Sequence, residues 1–497
     1  MSYLKNYLKA SKHLDQKESA LAFMASLDVI QSVDPKIAQA ILAELTDQRS
    51  FLKMIASENY SSLAVQLAMG NLLTDKYSEG SVGKRFYAGC KNVDTIEALA
   101  EGYAKELFGA DCAYVQPHSG ADANLIAFLA ILTVRVQDKE LQYQGKKLGE
   151  LSQEEFLSLR DLMLHQKMVG MSLDAGGHLT HGYRHNISSK LMISSFYEVD
   201  SKTHLIDYAA IQKQVEEEKP LILLAGYSSY PRKIDFAKMR NIADSVGAVL
   251  MVDMAHFSGL VAGKAFTGVH NPIPYADIVT STTHKTLRGP RGGLILCKQE
   301  FAEAVKKGCP LVIGGPMPHV MAAKAIAFKE ALDPSFQEYA SQIVQNAHAL
   351  AERFVEHGAS VITGGTENHM VLLDVFSSYG LTGKAAENVL REIGITANRN
   401  AIFQDPNGPW ITSGLRLGTP ALTTIGMKET QMQMIADAIH RALSHTKPKK
   451  ENGALSRVDV LTDPEEKQKA QKQIEQLTGE FPVYPELLFD EELCQTM

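Results

Sequence analysis

The stretch from Ala276 to Gly293, "ADIVTSTTHKTLRGPRGG", decides how the chain folds. It opens as a short apolar run, ends that run with His284 beside Lys285, and then turns through glycines. Two runs of the same kind precede it, "PLILLAGYS" (Pro220–Ser228) and "GAVLMVDMAH" (Gly247–His256). Between those two lies "DFAKMRNIADSV" (Asp235–Val246), whose apolar residues recur at helical spacing. Strands that are apolar throughout are covered on both faces, and their alternation with helices predicts an α/β fold with a mostly parallel sheet flanked by helices. Ligands in such sheets gather at the carboxyl ends of the strands. Each run delivers polar groups there: Ser228, then Asp253 with His256, then His284 with Lys285. A lysine in a loop is ordinarily a hydrated charge. In this company it reads as an amine held in a cleft to form a Schiff base with an aldehyde cofactor.

At 497 residues the chain is too long for one core. We read a helical N-terminal arm over 1–59, a large domain over 60–320, and a smaller α+β domain with a helical tail over 321–497. A charged segment, 136–168, reads as a surface insert containing an exposed amphipathic helix, "LSQEEFLSLRDLML". In the arm, Asp34 and Pro35 signal a helix start, with Ile37, Ile41 and Leu45 at helical spacing. A formal net charge of -7 gives no electrostatic case for nucleic acid or an anionic membrane as partner. Five scattered cysteines without a C-x-x-C pair fit neither a metal site nor a disulfide framework. The N-terminus lacks the pattern of a targeting segment and no apolar run approaches a membrane span, so the sequence predicts a soluble, cytoplasmic protein.

Other motifs supply what a pyridoxal phosphate site needs. Asp253, closing a buried strand, suits a protonated pyridine nitrogen. In "VQPHSGADAN" (Val115–Asn124), Ser119 and Gly120 stand before an apolar helical run, where backbone N–H groups attract a phosphate. Arg416 in "SGLRLGTPA" has the planar fork that clamps a carboxylate. His178 and His181 lie among glycines, and Ser57, Tyr77, Glu79 and Tyr87 are polar groups in glycine-flanked stretches.

Taken together and in order, "IASEN", "DKYSEG", "GKRFYAGC", "VQPHSG", "GGHLTHG", "VDMAH", "STTHKTLRGPRGG", "IGGPMPHV" and "TSGLRLGTPA" resemble the serine hydroxymethyltransferase family. The resemblance runs from about Ser50 to about His445. It implies a fold-type I pyridoxal phosphate enzyme that interconverts serine and glycine with tetrahydrofolate as one-carbon acceptor, working as a homodimer with shared active sites. It implies that Lys285 carries the cofactor, Asp253 meets the ring nitrogen, His178 stacks on the ring, and Ser228 and His256 lie near its hydroxyl. Ser119 and Gly120 would hold the phosphate, with Tyr77 and Gly315 reaching in from the neighbouring subunit. Arg416 and Ser57 would bind the substrate carboxylate. Glu79, also from the neighbour, would manage the serine hydroxyl proton, with Tyr87 beside the reacting carbon. His284 matches a position linked to reaction specificity, Arg291 would support the lysine, and Leu173, Gly177, His178, Leu179, Gly408, Pro409 and Trp410 would contact folate.

The chain also departs from the family's pattern. Ala121 and Asp122 replace the usual Ser-Gln, which removes a hydroxyl near the phosphate and adds a carboxylate. "PLVIGGP" keeps Gly314 and Gly315 but stiffens the approach to them, and Ala175 stands where the family often has histidine. The rival reading on the same fold is a folate-independent aldolase or an amino-acid racemase.

Overall fold

In the computed structural model, which describes residues 2–451 and 454–489, the apolar runs become strands of one seven-stranded sheet. These are β1 Cys112–Tyr114, β2 Lys167–Met171, β3 Ile193–Tyr197, β4 Ile222–Gly226, β5 Val249–Asp253, β6 Ile278–Thr282 and β7 Gly293–Cys297. Their order is β1-β7-β6-β5-β4-β2-β3. Strands β6, β5, β4, β2 and β3 pair in parallel, and β7 runs antiparallel to both its neighbours. Successive side chains of a strand point to opposite faces. Accordingly Leu250 and Val252 enter one core and Val249 and Met251 the other. The helix expected after β4 spans Phe236–Val246, capped by the Asp235 side chain and ended by Gly247 at φ 71°.

A second sheet is antiparallel: β8 Ser360–Val361, β9 Met370–Asp374, β10 Asn398–Asn400 and β11 Gly414–Gly418, ordered β8-β9-β11-β10. The helix Pro334–Glu356 gives Phe336, Tyr339 and Ile343 to the core of the large sheet. Its later residues Leu350 and Phe354 enter the core of the small one. A single rigid rod therefore fixes one sheet against the other.

Several expectations are corrected. The helix Pro35–Ser50 starts at Asp34 as read, but it buries Ala38, Leu42 and Leu45 and leaves Ile37 and Ile41 exposed. The neighbouring helix Glu18–Val33 and the residues Val483 and Leu487 chose which stripe to cover. The segment 136–168 does not begin or end as an insert. Val136 is buried within a π turn that continues the helix Gly120–Leu132, and Met168 is a core residue of β2. The helix within it, Gln153–Leu164, does form, with Ser152 and Glu155 as a capping box. One continuous helix, Gly120–Gln144, is long and apolar enough to cross a membrane by length and composition, contrary to the expectation. Its Ile126, Ala127 and Ile131 instead pack inside the protein. A hairpin, Thr446–Glu451 with Ala454–Thr462, was hidden by its charged and proline-bearing sequence.

Truncating a side chain in the middle of the large sheet should remove both transfer energy and packing. Leu250→Ala is expected to cost about 2–5 kcal/mol, seen as a lower denaturant midpoint; an unchanged midpoint would contradict the central position of β5.

Candidate active site

The carboxyl ends of β4, β5 and β6 lie side by side, with Gly226 paired to Asp253 and Asp253 to Thr280. Asp253 is buried and is held by three donors. Its Oδ2 accepts from Asn124 Nδ2 at 2.8 Å and faces His181 Nε2 at 3.3 Å, while Oδ1 accepts from Ala255 N at 3.0 Å. Burial pushes the carboxyl up, but the bonds from His181 and Asn124 and the field of His178 outweigh it. The group stays well below the usual carboxylate range. Asn124 is itself fixed, donating to Thr180 Oγ1 at 2.7 Å and accepting from Thr280 Oγ1 at 2.5 Å. The result is an ionised carboxylate at the bottom of a cleft, bonded to no lysine or arginine among the described residues. Such a charge calls for a cationic partner.

Lys285 follows β6. Its Nζ donates to Thr282 Oγ1 at 3.1 Å and its carbonyl accepts from Asn59 Nδ2 at 2.9 Å. Burial lowers the ammonium to about 8, with Asp253 opposing and Arg416 and Arg291 adding to the shift. Burial likewise lowers His178 to about 4 and His284 to about 3. His178 Nδ1 meets Thr180 Oγ1 at 2.7 Å. His256 is buried against His369, Nδ1 to Nε2 at 3.2 Å, and is held well below its ordinary value by burial. Arg291 is exposed, and its charge contributes to the field at His284 and Lys285.

Arg416 lies in β11, paired on both sides, and reaches across to the large sheet. Its Nη1 donates to Ser228 O at 2.6 Å and its Nε to Asn398 Oδ1 at 3.2 Å, and burial lowers the guanidinium to about 10. Ser57 follows Ala56, which packs so closely on Gly418 that a Cβ there would come within 2.3 Å of the Ala56 Cα. The Ser57 segment thus runs beside the strand that carries Arg416.

Ser119 is the N-cap of the helix that begins at Gly120, as read from sequence. Backbones crowd here: a Cβ on Gly293 would sit 2.2 Å from Ser119 O, and one on Gly120 would sit 2.7 Å from Thr282 Cγ2. On the far side of the cleft Leu173, Gly177, His178 and Leu179 share one loop. Leu173 and Leu179 are exposed there, and a Cβ on Gly177 would sit 2.2 Å from Met171 O. Gly408, Pro409 and Trp410 form a separate turn beside Asp405, whose carboxylate accepts from Ile402 N, Asn407 N and Ser413 N. Trp410 is 79% exposed, far above what a packing role allows.

Four of the expected residues make a cluster of their own. Tyr77 donates to Glu79 Oε1 at 3.2 Å and meets the Tyr87 ring edge-on at 5.1 Å, and its ring lies against Gly315. Tyr77 and Tyr87 are about half exposed, and no hydrogen bond or ion pair links this group to Lys285 or Asp253 among the described residues. Its loop is nonetheless held firmly. Arg85 bonds Asp94 at 2.8 Å and pairs with the buried Glu97, and Gln116 donates to Glu97 and to Gly80 O.

Sequence reasoning assigned no role to Asn124, Thr282, Asn59, His369 or Lys324. Asn124 carried a usable signal, a polar residue within an apolar helix. The others depend on pairing that only the fold supplies.

Comparison with known proteins settles the family. The family model described as serine hydroxymethyltransferase matches residues 30–160 and 150–439. The chain belongs to the serine hydroxymethyltransferase family. It is 56% identical over 466 residues to a serine hydroxymethyltransferase of Salinispora tropica, covering 93% of this chain and 97% of the relative. It is 54% identical over 489 residues to one of Treponema pallidum, covering 98% of this chain and 85% of that relative. The serine hydroxymethyltransferase of Chlamydia muridarum is 52% identical over 490 residues, 98% of either chain.

The cleft fits the family's cofactor. Asp253 offers an ionised, cation-seeking carboxylate, Lys285 an amine of lowered basicity, and the 119–120 turn a helix N-terminus for phosphate. The ring nitrogens His118 Nε2 and His284 Nδ1 are buried and have no partner among the described residues. With Lys285 near 8, the rate of its reaction with added pyridoxal phosphate should rise through an inflection near pH 8 and then level off. Continued increase past pH 10 in a stopped-flow series would show an unperturbed lysine instead.

Proposed function

We infer that this protein interconverts serine and glycine and transfers the hydroxymethyl carbon to tetrahydrofolate, using pyridoxal phosphate. The observation that carries this reading is the set Lys285–Asp253–Arg416, assembled from two sheets in one cleft, in a chain of this family.

Pyridoxal phosphate, when bound, supplies an electron-accepting ring next to the amino-acid nitrogen. The rest falls to the protein. Lys285 presents a neutral amine as the covalent anchor, which its lowered basicity makes available near neutral pH. Asp253 holds a proton at the pyridine nitrogen, and its own donors Asn124, His181 and Ala255 N keep it anionic for that task. His178, neutral because burial lowers it to about 4, would stack on the ring without adding a competing charge. Arg416 clamps the substrate carboxylate and, through Ser228 O, is registered against the large sheet. Ser57 adds a hydroxyl to that clamp. Arg291 contributes to the field around the lysine, and the adjacent His284 is kept neutral because burial lowers it to about 3. Leu173, Leu179 and the Gly408–Trp410 turn offer exposed apolar surface for the folate ring system, and the buried Gly177 lets the loop of Leu173 and Leu179 pack closely on Met171 O. The charged contacts of Asp253 and Arg416 would lower the barrier, and not merely bind, to the extent that they are stronger in the transition state than with bound substrate.

We propose a homodimer in which Glu79 and Tyr87 serve the partner's site. Glu79 would move the proton on the serine hydroxyl, Tyr87 would lie beside the reacting carbon, and Tyr77 and Gly315 would close over the phosphate. The support is that these four residues cluster half exposed on one face, held by a buried Arg85–Glu97–Gln116 network, with no bond to their own chain's Lys285. The division into 1–59, 60–320 and 321–497 and a cytoplasmic setting belong to the same reading; Cys90, Cys112, Cys297 and Cys309 are all free thiols.

Purified protein should show visible absorbance from lysine-bound pyridoxal phosphate, with a long-wavelength band on adding glycine that intensifies with tetrahydrofolate. Both should vanish in Lys285→Ala. A spectrum indifferent to folate would point to a folate-independent enzyme. For the shared sites, Lys285→Ala and Glu79→Gln are each expected to be inactive. After co-refolding at equal amounts the mixture should regain about a quarter of wild-type activity, as half the dimers then carry one intact site. No recovery would mean each site is built from one chain.

A further inference from the structure

The phosphate end of the cleft contains two charged groups that the mechanism above does not use. Lys324 lies on the helix Pro318–Ala331 and is fully buried. Its Nζ donates to three backbone carbonyls, Val115 O at 2.5 Å, Gly293 O at 2.8 Å and Pro117 O at 2.9 Å. These carbonyls belong to the end of β1, the start of β7 and the turn two residues before Ser119. Burial lowers this ammonium to about 7, with Glu97 and Asp122 opposing, while the three acceptors favour the charged form that can offer three N–H donors. Removing it would take a donor from each of these buried carbonyls, of which Pro117 O keeps the Gly293 N–H.

Asp122 is the opposing charge. It occupies the first turn of the helix that starts at Gly120. The Ser119 hydroxyl donates to Asp122 Oδ2 at 2.9 Å and accepts from Asp122 N at 3.1 Å. The hydroxyl proton, the one bond this side chain could offer a phosphate oxygen, is thus already engaged. A carboxylate there is stabilised by the helix N-terminus, the same field that attracts phosphate. Asp122 also lies within electrostatic reach of Lys324.

We propose that Asp122 and Lys324 together set how tightly this protein holds the phosphate of its cofactor. Asp122 competes with the phosphate for the Ser119 hydroxyl and the helix N-terminus. Lys324 is a positioning residue that shapes the turn from beneath and supplies the compensating charge. On phosphate binding the Ser119 hydroxyl turns from Asp122 to a phosphate oxygen, which leaves two anions facing the same donors. The consequence is a cofactor that exchanges readily, with the weakness confined to its phosphate. This rests on the pyridoxal phosphate reading above.

The test compares two aldehydes that differ only in the phosphate. Holoprotein is stripped of cofactor by dialysis against cysteine, then titrated with pyridoxal phosphate or with pyridoxal, read by visible absorbance. Asp122→Asn keeps the shape and removes the charge. It should bind pyridoxal phosphate about tenfold more tightly, the size expected for one partly buried charge at a helix N-terminus, while pyridoxal binding stays within about twofold. The same variant should melt slightly lower without cofactor, since the helix loses a favourable first-turn acid. A residue that merely capped the helix would lower both stability and affinity. Lys324→Met should weaken pyridoxal phosphate far more than pyridoxal; if that variant fails to fold, the Asp122→Asn comparison decides alone. Equal or weaker binding of pyridoxal phosphate by Asp122→Asn, or an equal gain for pyridoxal, overturns the proposal. Failure of wild type to bind pyridoxal phosphate at all would instead overturn the function proposed above.

Discussion

A buried carboxylate bonded to no lysine or arginine among the described residues is the constraint around which this structure is arranged. Asp253 sits at the end of β5, where desolvation works against its charge. The protein keeps it ionised by aiming Asn124, His181 and a backbone N–H at it, and then fixes Asn124 in turn with Thr180 and Thr280. Four separate segments of chain are thereby committed to one point. The helix beginning at Ser119, the glycine-rich loop around His178, and strands β5 and β6 cannot shift independently without unpairing a buried polar group. Costs of that kind, about 1–3 kcal/mol for each group left unsatisfied, are what define the shape of the cleft.

The second constraint is the bridge between sheets. Arg416 is anchored in the small sheet but spends its Nη1 on Ser228 O of the large one. The helix Pro334–Glu356 crosses both cores, and His256 of the large sheet meets His369 just before β9. The position of the carboxylate clamp relative to Lys285 is therefore set by packing across two cores. The loop carrying Tyr77, Glu79 and Tyr87 has a different logic. It is stiff, because Arg85, Glu97 and Gln116 hold it, yet it presents its reactive groups outward. A rigid loop with exposed phenols and a carboxylate suits a site completed by another copy of the chain.

Much of this was legible in the sequence because the chemistry sits at the ends of apolar runs. Ser228, Asp253, His284 and Lys285 could be placed once three buried strands were seen in succession. Ser119 could be placed as a helix cap, since hydroxyl-bearing residues before an apolar helical run have few other roles. What could not be read was which partner each side chain meets. Ile37 and Ile41 have the helical spacing of a buried face and are exposed, because neighbouring helices covered the Ala38–Leu42–Leu45 stripe instead. The segment 136–168 reads as an insert by charge, yet both its ends are core. Lys324 looks like a solvated lysine until the fold surrounds it with carbonyls.

The sequence by itself determined the alternation of strand and helix, the position of the polar strand ends, and the membership of a family with a specific cofactor. These are local properties, since a strand's periodicity and a motif's order are carried within a few residues of chain. Only the tertiary structure decided that Asp253 stays ionised, that Lys285 is less basic than an ordinary lysine, and that Ser119 is engaged by Asp122. It also decided that Glu79 and Tyr87 stand apart from the lysine they are expected to serve. Each of those depends on burial and on contacts between residues distant in the chain, and desolvation and hydrogen-bond pairing exist only once the chain has closed around them.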